Sequence, residues 1–139
     1  MAEGGVAVAC GGACLGPAHG YPSRMFQLGF VSAILPELTL EQVLAFAAAE
    51  RFRCVEVMCW PVGKAERKFA GITHIDVAGF TRARAQEVHA LCAKHNVSLT
   101  ALGYYPNPLD PDPAVSRVAV AHLKKVIQAA AMLLSLIHI

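Results

Sequence analysis

Cys54-Val55-Glu56-Val57-Met58-Cys59-Trp60 is the stretch on which the fold turns. Read with the two-residue period of a strand, it divides by parity. Val55, Val57 and Cys59 point one way, and Cys54, Glu56, Met58 and Trp60 the other. The valine side suits packing against helices. The other side would line the interior of a closed barrel or meet the second helical layer of an open sheet. A buried carboxylate needs a partner, because leaving it unpaired is costly. Glu56 therefore either anchors a polar, substrate-binding network at the sheet's carboxyl end or pairs structurally with an Arg or Lys from a neighbouring strand.

Two further strand-like runs flank this one, Phe26–Ser32 before it and Val97–Tyr105 after it. Amphipathic helical runs alternate with them over Thr39–Glu50, Thr81–His95 and Pro113–Leu134. Such alternation predicts an α/β domain, a parallel sheet covered by helices. A fourth strand is due after the third helix, but the sequence there is only Ser135-Leu136-Ile137-His138-Ile139, which reads as a non-native tail over 135–139.

The helix starts carry local signals. Thr39 with Gln42 forms a capping box, and Leu38 with Val43 a hydrophobic staple. Leu40, Val43, Leu44 and Ala47 then trace one apolar stripe. Thr81 is expected to cap the second helix, with Val88, Leu91 and Cys92 on its buried face. Asp112 followed by Pro113 opens the third, since proline at the first helical position loses no useful N–H. Val115, Val118, Ala119, His122, Val126, Ala130 and Leu133 share a wide apolar face on it.

Composition narrows the classes. The chain has 139 residues, enough for one domain or part of one. Its formal charge of +2 gives no reason to expect nucleic acid or a membrane surface as partner. No uninterrupted apolar run reaches the ~18 residues a membrane helix needs. The five cysteines are odd in number and lack a framework spacing, which points to a reducing, cytoplasmic setting. Residues 1–24 are Gly/Ala-rich without helical or strand period and are expected to form a disordered extension, with Met25 a sensible start for the domain at 25–134.

Ligand sites in parallel α/β proteins lie at the carboxyl ends of the strands. Two segments there are candidates. Pro61–Phe80 is far longer than a usual βα loop of about 2–6 residues, and it carries Lys64, Arg67, Lys68, His74 and Asp76. Gly103-Tyr104-Tyr105-Pro106-Asn107-Pro108 ends the third strand and could line a polar small-molecule pocket. Other signals are weak. His74 and Asp76 make a lone H-x-D pair, and His89, Cys92 and His95 fit a core cysteine between solvent-facing histidines. His122 fits a packed side chain. Dinucleotide, phosphate-loop and nucleophile-elbow motifs are absent.

Taken in order, Leu28-Gly29-Phe30, Leu40-Glu41-Gln42-Val43, Ala47-Ala48-Ala49-Glu50, the opening strand through Pro61, and Leu102 through Asp110 resemble the sugar phosphate isomerase/epimerase family of xylose-isomerase-like TIM barrels. The resemblance spans about Met25 to Leu134. It implies the first three β-α units of a (β/α)8 barrel, and metal-assisted proton transfer on a sugar or sugar phosphate. It implies a divalent metal (Mn, Mg, Co or Zn) in the parent enzyme, whose ligands come mainly from later strands. No metal ligand or catalytic residue carries over, and no metal is expected in this chain. Glu56, Trp60, His74, Tyr104, Tyr105 and Asn107 remain as the front of a substrate site. Because three strands cannot close a barrel, the chain alone is expected to be inactive. The alternatives are a metal-dependent endonuclease-type barrel of the same superfamily and a non-enzymatic α/β interaction module.

Overall fold

The computed structural model describes residues 27–63, 70–133 and 136–138, the last of these for the backbone alone. The extension expected over 1–24 and the basic residues Lys64, Arg67 and Lys68 lie outside the described residues. In chain order the elements are β1 (Gly29–Val31), a 3-10 turn (Ser32–Ile34), α1 (Leu40–Ala49), β2 (Cys54–Met58), α2 (Arg82–His95), β3 (Ser98–Gly103), α3 (Pro113–Leu133) and β4 (Leu136–His138). The four strands form one sheet in the order β1-β2-β3-β4, and every neighbouring pair is parallel. The α/β alternation is as expected from the sequence. The fourth strand is not: Leu136–His138, read as tail, pairs with Ala101–Gly103 of β3.

Each helix start is held by the residue the sequence singles out. The Gln42 N–H donates to Thr39 Oγ1 at 3.3 Å, and the Thr39 N–H donates to Gln42 Oε1 at 2.8 Å, completing the capping box. Thr81 Oγ1 accepts from the Arg84 N–H at 3.3 Å, and Asp112 Oδ1 accepts from the Ala114 N–H at 2.8 Å. At the far end of α1 the Phe52 N–H reaches Ala47 O and the Arg51 N–H reaches Ala48 O. This is a Schellman closure, with Arg51 in the left-handed region at φ 64°.

All three helices bury their apolar stripes on one face of the sheet. Val43, Leu44 and Ala47 of α1, Ala85 and Val88 of α2, and Val126, Ala129, Ala130 and Leu133 of α3 join Val55, Val57, Cys59 and Leu102 in a single core. The parity of β2 comes out as read over Cys54–Met58, the valine side meeting the helices, but Trp60, read on the Glu56 side, packs against this core beyond the strand's end. Leu91 and Cys92 are only half-buried at the margin of that core.

The expected face of α3 needs a correction. Val115 and Val118 are exposed, at 49% and 67%, and the buried stripe begins only at Ala119. The physical reason is length. Twenty-one helical residues span about 31 Å, against about 20 Å for the six-residue strand before it. The first turns of α3 therefore project past the carboxyl end of the sheet. There Val115 and Val118 line an open apolar hollow of about 420 Å³ with Tyr104 and Pro106.

Candidate functional site

The face of the sheet opposite the helices carries the polar group that the sequence left open. Register places Glu56 of β2 beside Ala101 of β3, and Met58 beside Gly103. Two residues of β3, Leu99 and Ala101, face consecutive residues of β2, so Thr100 is an extra residue. This bulge reverses the phase of β3. Leu99 packs toward the helices before it, Leu102 after it, and Ala101 and Gly103 come round to the Glu56 side.

Gly103 is the floor of this site. A Cβ built there would meet Met58 Sδ at 2.7 Å, Glu56 Oε1 at 2.8 Å and the Tyr105 hydroxyl at 3.3 Å. The carboxylate of Glu56 and the phenol of Tyr105 therefore converge over a position that has room for them only because it lacks a side chain. Glu56 is half-buried, with Oε1 itself shielded from solvent, and Tyr105 is 40% exposed. A carboxylate accepts hydrogen bonds and a phenol both donates and accepts, a pairing suited to hydroxyl groups.

The other expected residues separate into distinct places. Trp60 and Tyr104 stack edge to face with centroids 5.0 Å apart, and Tyr104 in turn meets the ring of His122 at 4.5 Å. His122 Nε2 donates to the Cys59 carbonyl at 2.7 Å, which ties α3 to the end of β2. Its reading as a packed side chain therefore holds, with a defined hydrogen bond added. Burial pushes the Tyr104 phenol above its ordinary value, a shift against ionisation. It also pushes the Cys59 thiol up to about 12, with Asp76 adding to the effect, so this cysteine is not a nucleophile.

His74 is buried and both of its ring nitrogens are engaged. Nε2 donates to the Leu35 carbonyl at 3.1 Å, which leaves Nδ1 to accept from the Ser32 hydroxyl at 2.9 Å. Ser32 Oγ also accepts the Met58 N–H at 3.0 Å. The His74 N–H donates to Met58 O at 3.0 Å. Burial lowers the His74 pKa below its ordinary value, against the carbonyls of Leu35 and Leu38. In this geometry His74 rivets the long loop after β2 to the end of β1 and has no nitrogen left for a ligand. The loop is clamped further by the Trp60 N–H to Ile72 O bond, by a bond from Thr73 Oγ1 to the Trp60 carbonyl, and by an antiparallel bridge between Cys59 and Thr73. That bridge ends β2 two residues before the sequence suggests.

Asn107 stands apart on the surface, where Oδ1 accepts from the Leu109 N–H at 3.1 Å and shapes the turn into α3. Asp76 is likewise spent on a turn, accepting the Ala78 N–H at 2.8 Å. Among the described residues no group of three or more His, Cys, Asp or Glu side chains could hold a metal. Glu56 and Tyr105 alone among the six expected residues gather over Gly103. The junction formed by Ser32 and the place of Gly103 beneath Glu56 escaped sequence reading, since both arise between strands distant in the chain.

No helix among the described residues is long and apolar enough to cross a membrane. No family model matches the chain, and no curated protein matches it.

Proposed function

We propose that this chain is the N-terminal part of a (β/α)8 barrel that isomerises or epimerises a sugar or sugar phosphate, with Glu56 and Tyr105 binding sugar hydroxyls. The observation that carries this reading is the convergence of a carboxylate and a phenol over Gly103, on the helix-free face at the carboxyl end of the strands. The strand order supports the barrel. A doubly wound sheet reverses its order and places helices on both faces. Here the order runs β1-β2-β3-β4 without reversal, and the helices share one face, as in the wall of a barrel.

Four strands do not close a barrel, so the chain by itself is expected to bind weakly and not to turn over. In the proposed parent enzyme a divalent metal would polarise the sugar oxygens. Glu56 and Tyr105 would orient the hydroxyls beside it.

Saturation-transfer NMR with neutral ketoses and their phosphates tests the site on the chain itself. Signal on sugar protons that Glu56→Gln abolishes supports the reading, and no signal from any sugar overturns it. The chemistry is tested on the product of the continued reading frame, by following exchange of sugar C–H protons in deuterated water with manganese added. Absence of exchange at every carbon refutes an isomerase or epimerase.

A further inference from the structure

The amino ends of the strands carry a second cleft, remote from the Glu56 site. Gln27, Leu28, Arg51, Arg53, Asn96 and Ser98 line it, and its volume is about 660 Å³. Cys92 forms part of its wall and contributes a thiol rather than a charge. Among the described residues no Asp or Glu lines it. Arg51 and Arg53 flank Phe52 in the connection from α1 to β2, and both are exposed. Neither guanidinium has an ion-pair or hydrogen-bond partner among the described residues, where the ion pairs are Arg84–Glu87 and Lys94–Glu41. Glu50, adjacent to Arg51, pairs with neither arginine.

Arg51 also sits where glycine would be easier. It is the left-handed residue of the Schellman closure of α1, at φ 64°. An L-residue there crowds its Cβ against the backbone, which is why glycine predominates at this position. The chain thus bears a local backbone cost to hold an arginine that no group of the described protein engages. Departures of this kind collect at functional sites. The helix ends account for part of the charge. α1 and α2 both finish at this side, each contributing about half a negative charge from its last carbonyls. Two guanidiniums exceed that by about one positive charge.

We propose that this cleft binds a phosphate group, free or carried by a small molecule, with Arg51 and Arg53 as its principal ligands. Guanidinium forks match tetrahedral oxyanions with paired N–H donors. The side-chain amides of Gln27 and Asn96 supply further donors, so the polar lining is dominated by groups that give hydrogen bonds to an anion. The cleft exceeds the size of a phosphate, and its apolar wall at Leu28, 74% exposed, can cover a carbon skeleton. The assignment is independent of the sugar site at the opposite end of the strands.

Cys92 supplies the readout. The full chain is alkylated with iodoacetamide and modification is followed peptide by peptide, with inorganic phosphate titrated at an ionic strength held constant by chloride. Saturable protection of Cys92 is expected. Arg51→Gly removes one guanidinium while relieving the left-handed backbone, so a lost response in this variant is not lost folding. It and Arg53→Gln should each weaken the apparent phosphate affinity about tenfold or more, as for one charge-assisted contact. Arg84→Gln, on the exposed face of α2, should leave it unchanged. A second arm uses glycerol 3-phosphate: tighter protection assigns a phosphate ester, and equal protection assigns the free ion. The proposal is overturned if chloride alone protects Cys92 equally, if protection does not saturate, or if it persists unaltered in both arginine variants.

Discussion

Replacing Ser32 with alanine removes a single oxygen, yet the structure makes that oxygen a junction. Ser32 is fully buried, and its Oγ accepts the Met58 N–H at 3.0 Å while its hydroxyl proton goes to His74 Nδ1 at 2.9 Å. In Ser32→Ala both groups remain buried and lose their partner. Each orphaned buried group costs about 1–3 kcal/mol, so the substitution should cost about 2–6 kcal/mol. Against a total domain stability of about 5–15 kcal/mol that is a large share. Urea unfolding followed by far-UV circular dichroism and by Trp60 fluorescence measures it. With a slope of about 1–3 kcal/mol per molar urea, the midpoint should fall by about 1 M or more, at unchanged slope. The double variant Ser32→Ala/His74→Leu provides the internal check. Removing both partners leaves only the Met58 N–H unsatisfied, so the two losses should not add. A cost below about 1 kcal/mol for Ser32→Ala, or strict additivity in the double variant, would refute the junction.

The same junction sets a pH dependence. Burial holds His74 below the ordinary imidazole value of 6.5, so as pH falls the unfolded chain binds the proton first. This contribution to stability is complete above about pH 6.5 and is lost as pH falls below it, and His74→Gln should flatten the difference in urea midpoint between about pH 7.5 and about pH 5.5. Arg51→Gly should stabilise the chain slightly. Relief of the left-handed backbone, about 1–2 kcal/mol, is partly offset by glycine's extra freedom when unfolded, about 0.5–1 kcal/mol, and a rise in Tm reads the balance. Two glycine substitutions should part company. A Cβ at Gly29 lies 2.4 Å from the Cys54 carbonyl oxygen, which is backbone and cannot swing away, so Gly29→Ala should cost about 1–3 kcal/mol and loosen β1. At Gly103 a Cβ meets mainly the ends of the Met58 and Glu56 side chains. Gly103→Ala should therefore be near neutral in urea while displacing the Glu56 carboxylate. Equal losses in the two variants would contradict this.

Much of the site's frame was legible in the sequence. The parity of Cys54–Met58 placed Glu56 away from the helices before any tertiary information, because alternation in a strand is a property of consecutive residues. Tyr105 was expected to close the third strand; β3 stops at Gly103 and Tyr105 lies just beyond it, still on the carboxyl side. His74 and Asn107 were read as ligand-facing because their residue types suit ligands. The structure engages one in a buried hydrogen-bonded junction and the other in a surface turn. Residue type reveals what a side chain can do, whereas its neighbours decide what it does.

The sequence by itself determined the three helices and their starts. Thr39, Thr81 and Asp112 cap helices through residues two or three positions away, and such short-range bonds are encoded locally. Tertiary structure alone decided three things. The bulge at Thr100 turned Gly103 to face Glu56 and so formed the site floor. The contacts Ser32–His74 and His122–Cys59 span 42 and 63 positions. Strand order put all helices on one face and brought Leu136–His138 alongside β3. The physical reason is common to all three. Local periodicity chooses between helix and strand, but register and layer are chosen by which distant surfaces exclude water together, and no window of neighbouring residues contains both.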